Sequence, residues 1–163
     1  MASFDIVSKV DLQTLDNAIN VAIKEIANRY DLRNSKTSVE LNKKDLKIQV
    51  DTDNDMSLKS VEDILLTRMV KQGVDGRSLD FTAEPHQSGN RLRRELKIRQ
   101  GLDKDQQRKI LKLIKEHFPK LTAQAMDDQV RVTSKKIDDL QAVIGLLRRS
   151  ELEISLQFVN MKS

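Results

Sequence analysis

Two periods alternate along this chain. Apolar residues recur at every second position, but for Ser8, in Phe4, Ile6, Ser8 and Val10, and without a break in Val39 and Leu41 and in Leu46, Ile48 and Val50. They do so again in Leu96 and Ile98, in Ala123 and Ala125, in Val130 and Val132, and in Leu156 and Phe158. Period two with polar residues between predicts strands covered on one face only. Between these runs the spacing lengthens to three and four. Leu12, Leu15, Ile19, Ile23, Ile26 and Tyr30 make one helical stripe, and Leu58, Val61, Ile64 and Leu65 a second. Ile110, Leu113, Ile114 and Phe118 make a third, and Ile137, Leu140, Val143, Ile144 and Leu147 a fourth. Asp11 and Asp103 stand where an N-cap belongs, and Pro119 stands where a helix must already have ended.

The order is strand, helix, strand, strand, helix, strand, and then the same again. A shift of 92 lays Phe4, Ile6, Val10 and Asp11 on Leu96, Ile98, Leu102 and Asp103. A shift of 79 lays Leu58, Val61, Ile64 and Leu65 on Ile137, Leu140, Val143 and Ile144. The hairpin signals Asn42-Lys43-Lys44-Asp45 and Asp127-Asp128-Gln129 match as well. This predicts an α+β protein duplicated from one ferredoxin-like β-α-β-β-α-β unit, a four-stranded antiparallel sheet with two helices on one face. Residues 1–82 read as the first domain, 83–90 as a linker and 91–163 as the second. The two leading strands are alike in pattern, so each could instead complete the other unit's sheet.

Charge sharpens this. The net charge is +4, but the residues up to Thr82 carry 12 Lys/Arg against 14 Asp/Glu, and the rest 17 against 11. An imbalance between halves points to an anionic partner for one of them. The outward strand positions of the second copy are Arg93, Glu95, Lys97, Arg99, Gln124, Arg131, Thr133, Ser155 and Gln157, a basic face rich in donors. Those of the first, from Asp5, Val7 and Lys9 through Ser38, Glu40, Asn42, Lys47, Gln49 and Asp51, are mixed. Lys104, Arg108, Lys112 and Lys115 add an exposed helical stripe. Lys97, Arg99 and Arg131 are therefore expected on neighbouring strands, to be neutralised by an outside anion or acidic partner, the alternative being Glu95 and Glu153 as internal counter-ions. Lys9, Lys43 and Lys47 are expected to matter much less. A bare solvated face is the competing reading. Aromatics are only 3% and none falls on these outward positions, so phosphate contacts rather than base stacking are the chemistry on offer.

Catalysis and cofactors find little support. The sequence has no Cys. Lys71-Gln72-Gly73-Val74-Asp75-Gly76 lacks the spacing of a phosphate loop and reads as a helix end and turn. His86 and His117 have no ligand spacing around them. Asp51, Asp53 and Asp55 start like a calcium loop, but Met56 stands where its glycine belongs. The expectation is a non-enzyme with no metal or cofactor. No apolar run approaches the roughly 18 residues of a membrane span, so the expected setting is the cytoplasm, away from membranes.

Phe4-Asp5-Ile6-Val7-Ser8, Arg29-Tyr30-Asp31-Leu32-Arg33, Glu40-Leu41-Asn42, Ser78-Leu79-Asp80 and Gln100-Gly101-Leu102 resemble the YajQ family of bacterial proteins. So do Val130 to Lys135, Asp138 to Ile144 and Gln157 to Asn160, which extends the resemblance over essentially the whole chain. The resemblance implies two ferredoxin-like, RNA-binding-like domains and a nucleotide-binding description. It also implies purine nucleotides or tRNA as partners, or cyclic di-GMP as ligand of an effector acting with a transcription factor. Two departures stand out: Leu32 where Phe is usual, which weakens any stacking role there, and Ser134 where Gly is usual. No family binding motif carries over, so the candidate contacts remain Arg93, Lys97, Arg99, Lys112, Arg131 and Thr133. Arg29 and Arg33 join them beside the end of the first helix, where Tyr30 reads as core packing.

Overall fold

The computed structural model describes every residue except Glu151 and Glu153. The described residues form an α+β fold with four α-helices and two antiparallel sheets. In chain order the elements are β1 (Ala2–Val7), α1 (Leu12–Asn28), β2 (Ser38–Asn42), β3 (Lys47–Thr52), α2 (Asp55–Lys71), a 3-10 turn (Gly76–Ser78), β4 (Leu79–Asp80) and β5 (His86–Ser88). There follow β6 (Arg91–Ile98), α3 (Lys104–His117), β7 (Thr122–Met126), β8 (Gln129–Ser134), α4 (Ile137–Arg149) and β9 (Gln157–Lys162). No helix among the described residues is long and apolar enough to cross a membrane.

The caps fall where the sequence places them. The Asp11 carboxylate accepts from the backbone of Gln13 and Thr14, and Asp103 forms a capping box with Gln106. Gly73, at φ 88°, ends α2 in the left-handed region that favours glycine.

The leading strands are exchanged. One sheet runs β7-β8-β1-β9 and the other β2-β3-β6-β4, with β5 also paired to β6. Residues 1–9 and 100–163 thus form one compact body, and residues 10–99 the other. Each has the ferredoxin-like strand order. The boundaries expected at 82 and 91 cut through the second body, because β6 lies beside β3 and not β8. The expected linker also gains structure: His86–Ser88 folds back on Arg91–Arg93 through Gly89, at φ 64°. Each body has its own apolar core. Val10, Leu15, Ile19, Leu58, Leu65, Ile48 and Leu96 belong to one, and Phe4, Ile6, Ile110, Ile114, Val132, Leu140 and Val143 to the other. Burying each such side chain stabilises the fold by roughly 1.5–3 kcal/mol.

Tyr30 departs from expectation. It continues the spacing of α1, but the helix stops at Asn28, and the ring is 84% exposed. Leu32 is 2% exposed and fills the core instead. That position is a packing site, so Leu in place of Phe there removes no exposed platform.

Candidate functional site

The exchange redistributes the outward cations. Arg93, Glu95, Lys97 and Arg99 share a face with Ser38, Glu40, Asn42, Lys47, Gln49 and Asp51, while Arg131 and Thr133 share one with Ser3, Asp5 and Gln124. Lys97 and Arg131 lie in different sheets, which corrects their expected adjacency.

On the face of residues 1–9 and 100–163, β8 lies between β7 and β1. Thr133 faces Thr122 and Ser3, and Arg131 faces Gln124 and Asp5. Asp5 is 2% exposed. It accepts from Arg131 Nε at 2.8 Å and from Asn160 Nδ2 at 2.9 Å. The Arg131 hydrogen bond holds the Asp5 carboxyl below the usual carboxylate range, against the opposing pull of burial. Arg131 is thus already engaged by a buried carboxylate.

The face of residues 10–99 carries charge in every row. In the first row Asp51 faces Arg93. Asp51 accepts from Arg91 at 2.8 Å and from Arg93 at 3.0 Å. Burial would raise the Asp51 carboxyl, but these two cations outweigh it and hold it below the usual range. Asp53 binds Arg91 at 2.6 Å, Asn54 caps α2 and Asp55 lies in its first turn. The run that starts like a calcium loop is therefore a set of counter-ions and helix-start residues.

The third row is different. Lys47 and Lys97 are directly opposite on the two central strands, flanked by Asn42 and Asp80. Like charges in that relation repel. Lys47 reaches Glu95 at 3.3 Å, while Lys97 is exposed and makes no ion pair within 4.0 Å among the described residues, with Asp80 as its cross-strand neighbour on β4. Arg99 lies just beyond β6, its guanidinium 3.4 Å from the Arg77 carbonyl and 3.9 Å from Asp80. Beside this corner lies an open groove of about 510 Å³, lined by Glu40, Leu41, Asn42, Lys43, Lys44, Lys47 and Gln49. Lys47, expected to be a bystander, is directly opposite Lys97 because β6 joins its sheet, and Lys43, expected to be another, lines the groove with Lys47 and lies 3.9 Å from Asp16. Sequence spacing could not show this.

The remaining candidates lie apart. Lys112 is exposed on α3. Arg29 binds Asp31 at 3.0 Å, and Arg33 lies over the Tyr30 ring at 5.0 Å from its centre. Glu153, the second expected counter-ion, lies outside the described residues, and Glu95 serves Lys47. No aromatic occupies either outer face among the strand residues.

The profile of the family described as "Nucleotide-binding protein YajQ-like" matches residues 2–162. The chain belongs to the YajQ family. It is 54% identical over 162 residues to a Cytophaga hutchinsonii protein named "Nucleotide-binding protein", covering 99% of this chain and 100% of that one. A Geotalea daltonii protein of the same name is 46% identical over 162 residues, covering 99% of each. A third relative, from Bacillus cereus strain B4264, is 45% identical over 161 residues, with 99% of this chain and 98% of that one covered.

Proposed function

We propose that this YajQ-family chain is a non-catalytic nucleotide-binding protein. Its site is the corner formed by Lys43, Lys44, Lys47, Lys97 and Arg99. The observation that carries this reading is the Lys47–Lys97 pair, two cations held face to face on rigid central strands beside an open groove. Phosphates relieve that repulsion through charge-assisted hydrogen bonds. Glu40 and Gln49, opposite one another in the same groove, supply an acceptor and an amide for the edge of a base. Purine nucleotides, alone, in a cyclic dinucleotide or within tRNA, offer both features. The names of the relatives support the same class of ligand.

The test is calorimetric titration with GTP, ATP, cyclic di-GMP and tRNA over a range of salt. Lys47→Gln with Lys97→Gln should weaken the ligand that binds by about tenfold or more and flatten its salt slope. Arg131→Gln should change neither. Equal losses from both variants, or none from either, would place the ligand elsewhere.

A second reading rests on α3, where Lys104, Arg108, Lys109, Lys112 and Lys115 are all exposed. That stripe suits an acidic protein partner such as a transcription factor. Lys112→Glu with Lys115→Glu would abolish such a contact and leave nucleotide affinity intact.

A further inference from the structure

The nucleotide corner leaves a second feature of residues 10–99 unused. Between the end of α1 and β2 lies a cavity of about 360 Å³. Ile26, Leu32 and Val39 are its buried apolar lining, and Ile23, 40% exposed, stands at its mouth. Arg33 and Lys36 are its exposed cations. The volume is at the low end of small-molecule sites, roughly 300–1,000 Å³.

The loop that carries the two cations is fixed from several directions. The Ser35 hydroxyl, in a residue only 4% exposed, donates to the Leu32 carbonyl and meets Thr37 Oγ1. Thr37 Oγ1 in turn lies 2.9 Å from Thr52 Oγ1, whose residue is fully buried. Arg91 donates to the carbonyls of Ser35 at 2.8 Å and Lys36 at 2.6 Å, while Asp51 and Asp53 hold its guanidinium. Lys36 itself has φ 52°, a left-handed conformation that a residue with a Cβ keeps only where its surroundings impose it. Such strain concentrates at ligand sites. The Arg33 guanidinium rests over the exposed Tyr30 ring.

We propose that this cavity binds a small amphipathic organic anion. The apolar body lies against Ile26, Leu32 and Val39, and a single carboxylate or phosphate meets Arg33 and Lys36. With Glu40 against Arg33 and Lys36 the cavity lining nets one positive charge, which suits one anionic group, whereas the nucleotide groove sets Lys43, Lys44 and Lys47 beside the same Glu40. Arg91 is a positioning residue here: it fixes the loop without touching the ligand.

The test is a titration of the isotope-labelled full chain, followed by amide NMR, with hexanoate, hexyl phosphate and the neutral control 1-hexanol. At least one of the two anions should shift amides of residues 23–40 saturably, and hexanol should bind about tenfold more weakly or less, as the loss of charge-assisted contacts implies. Arg33→Gln with Lys36→Gln changes exposed side chains and should cost the anion about tenfold too, with the rest of the spectrum unmoved. Ile23→Asp should weaken it as well, and Lys47→Gln with Lys97→Gln should not. Hexanol binding as tightly as the anions, shifts spread over other elements, or indifference to Arg33→Gln with Lys36→Gln would each overturn the proposal.

Discussion

The two bodies share a strand order and differ in what their outer faces do with charge. In residues 1–9 and 100–163 the central row is Gln124, Arg131, Asp5 and Val159, and its neighbour is Thr122, Thr133, Ser3 and Lys162. In residues 10–99 every row is charged, and one sets Lys47 against Lys97. By the internal shift of 92, Asp5 and Lys97 are equivalent positions, as are Ala2 and Arg94. The apolar alternation of the two leading strands is the same and cannot decide which sheet each joins. The polar residues can. Glu62 on α2 is 7% exposed and turned toward its own sheet. Arg94 meets it with 3.0 Å contacts to both carboxylate oxygens. With β1 in that place, the equivalent residue would be Ala2, and Glu62 would have no cation. Asp5 does the converse for Arg131.

The largest expected effect breaks this arrangement at Arg94. Its guanidinium also donates to the carbonyls of Phe81 and Ala83 and lies over the Phe81 ring, so it ties down the segment that leads to β5. Arg94→Met should cost about 3–5 kcal/mol, since it leaves a buried carboxylate unpaired. Replacing both Glu62 and Arg94 by Leu should recover most of that loss, because an apolar pair carries no desolvation cost. Urea denaturation of the three proteins measures both. A single substitution costing under about 1 kcal/mol would show that Arg94 does not assign β6 to its sheet.

A smaller effect is expected at Asp5. Asp5→Ala removes the acceptor of Arg131 and Asn160, but Arg131 is partly exposed and can turn to water, so the cost should be about 1–3 kcal/mol. The pH dependence distinguishes the two carboxyls. The Arg131 hydrogen bond lowers Asp5 in the folded state, so its contribution is complete above the unfolded value of about 3.9 and is lost as pH falls through the lower folded value. Burial raises Glu62 despite Arg94, so folding binds its proton more tightly, and stability falls as pH rises from the ordinary value through the raised one. Urea midpoints taken from neutral to acid pH should lose less on acidification in Asp5→Ala than in the parent. Glu62→Gln should remove the opposite trend.

Much of the plan was legible beforehand. The stripe Leu58, Val61, Ile64 and Leu65 is buried throughout, that of α4 is buried from Leu140 to Leu147 but exposed at Ile137, and both aspartate caps form. Alternation assigns a residue to a face of a strand and says nothing about the strand's neighbour, so the exchange had to be read from Glu62 and Arg94, an acid on an apolar stripe and a base at an inward position. The candidate basic face assembled three cations from two different sheets for the same reason. Tyr30 shows the limit of period counting: the stripe of α1 runs on in the sequence for a turn after the backbone has left the helix. His86–Ser88 has no apolar alternation, and its pairing follows from the turn through Gly89.

The smallest expected effect sharpens the comparison of the faces. If Lys47 and Lys97 are held together for an anion, the ligand-free fold bears a small repulsion there that the Asp5–Arg131 row lacks. Lys97→Gln should then raise stability by a few tenths of a kcal/mol, the scale of one unfavourable cross-strand pair. The gain should fade as salt is added, because the pair is exposed and screening acts within about 10 Å at 0.1 M ionic strength. Arg131→Gln should lower stability, since it takes a donor from a buried carboxylate. The same Lys97→Gln change should weaken nucleotide binding, so stability and affinity move in opposite directions at one residue. Urea midpoints at low and high salt, set beside calorimetry, read both quantities. If Lys97→Gln destabilises the chain at low salt, Lys97 serves the fold through a favourable contact, and the corner loses its strongest claim to be kept for a ligand.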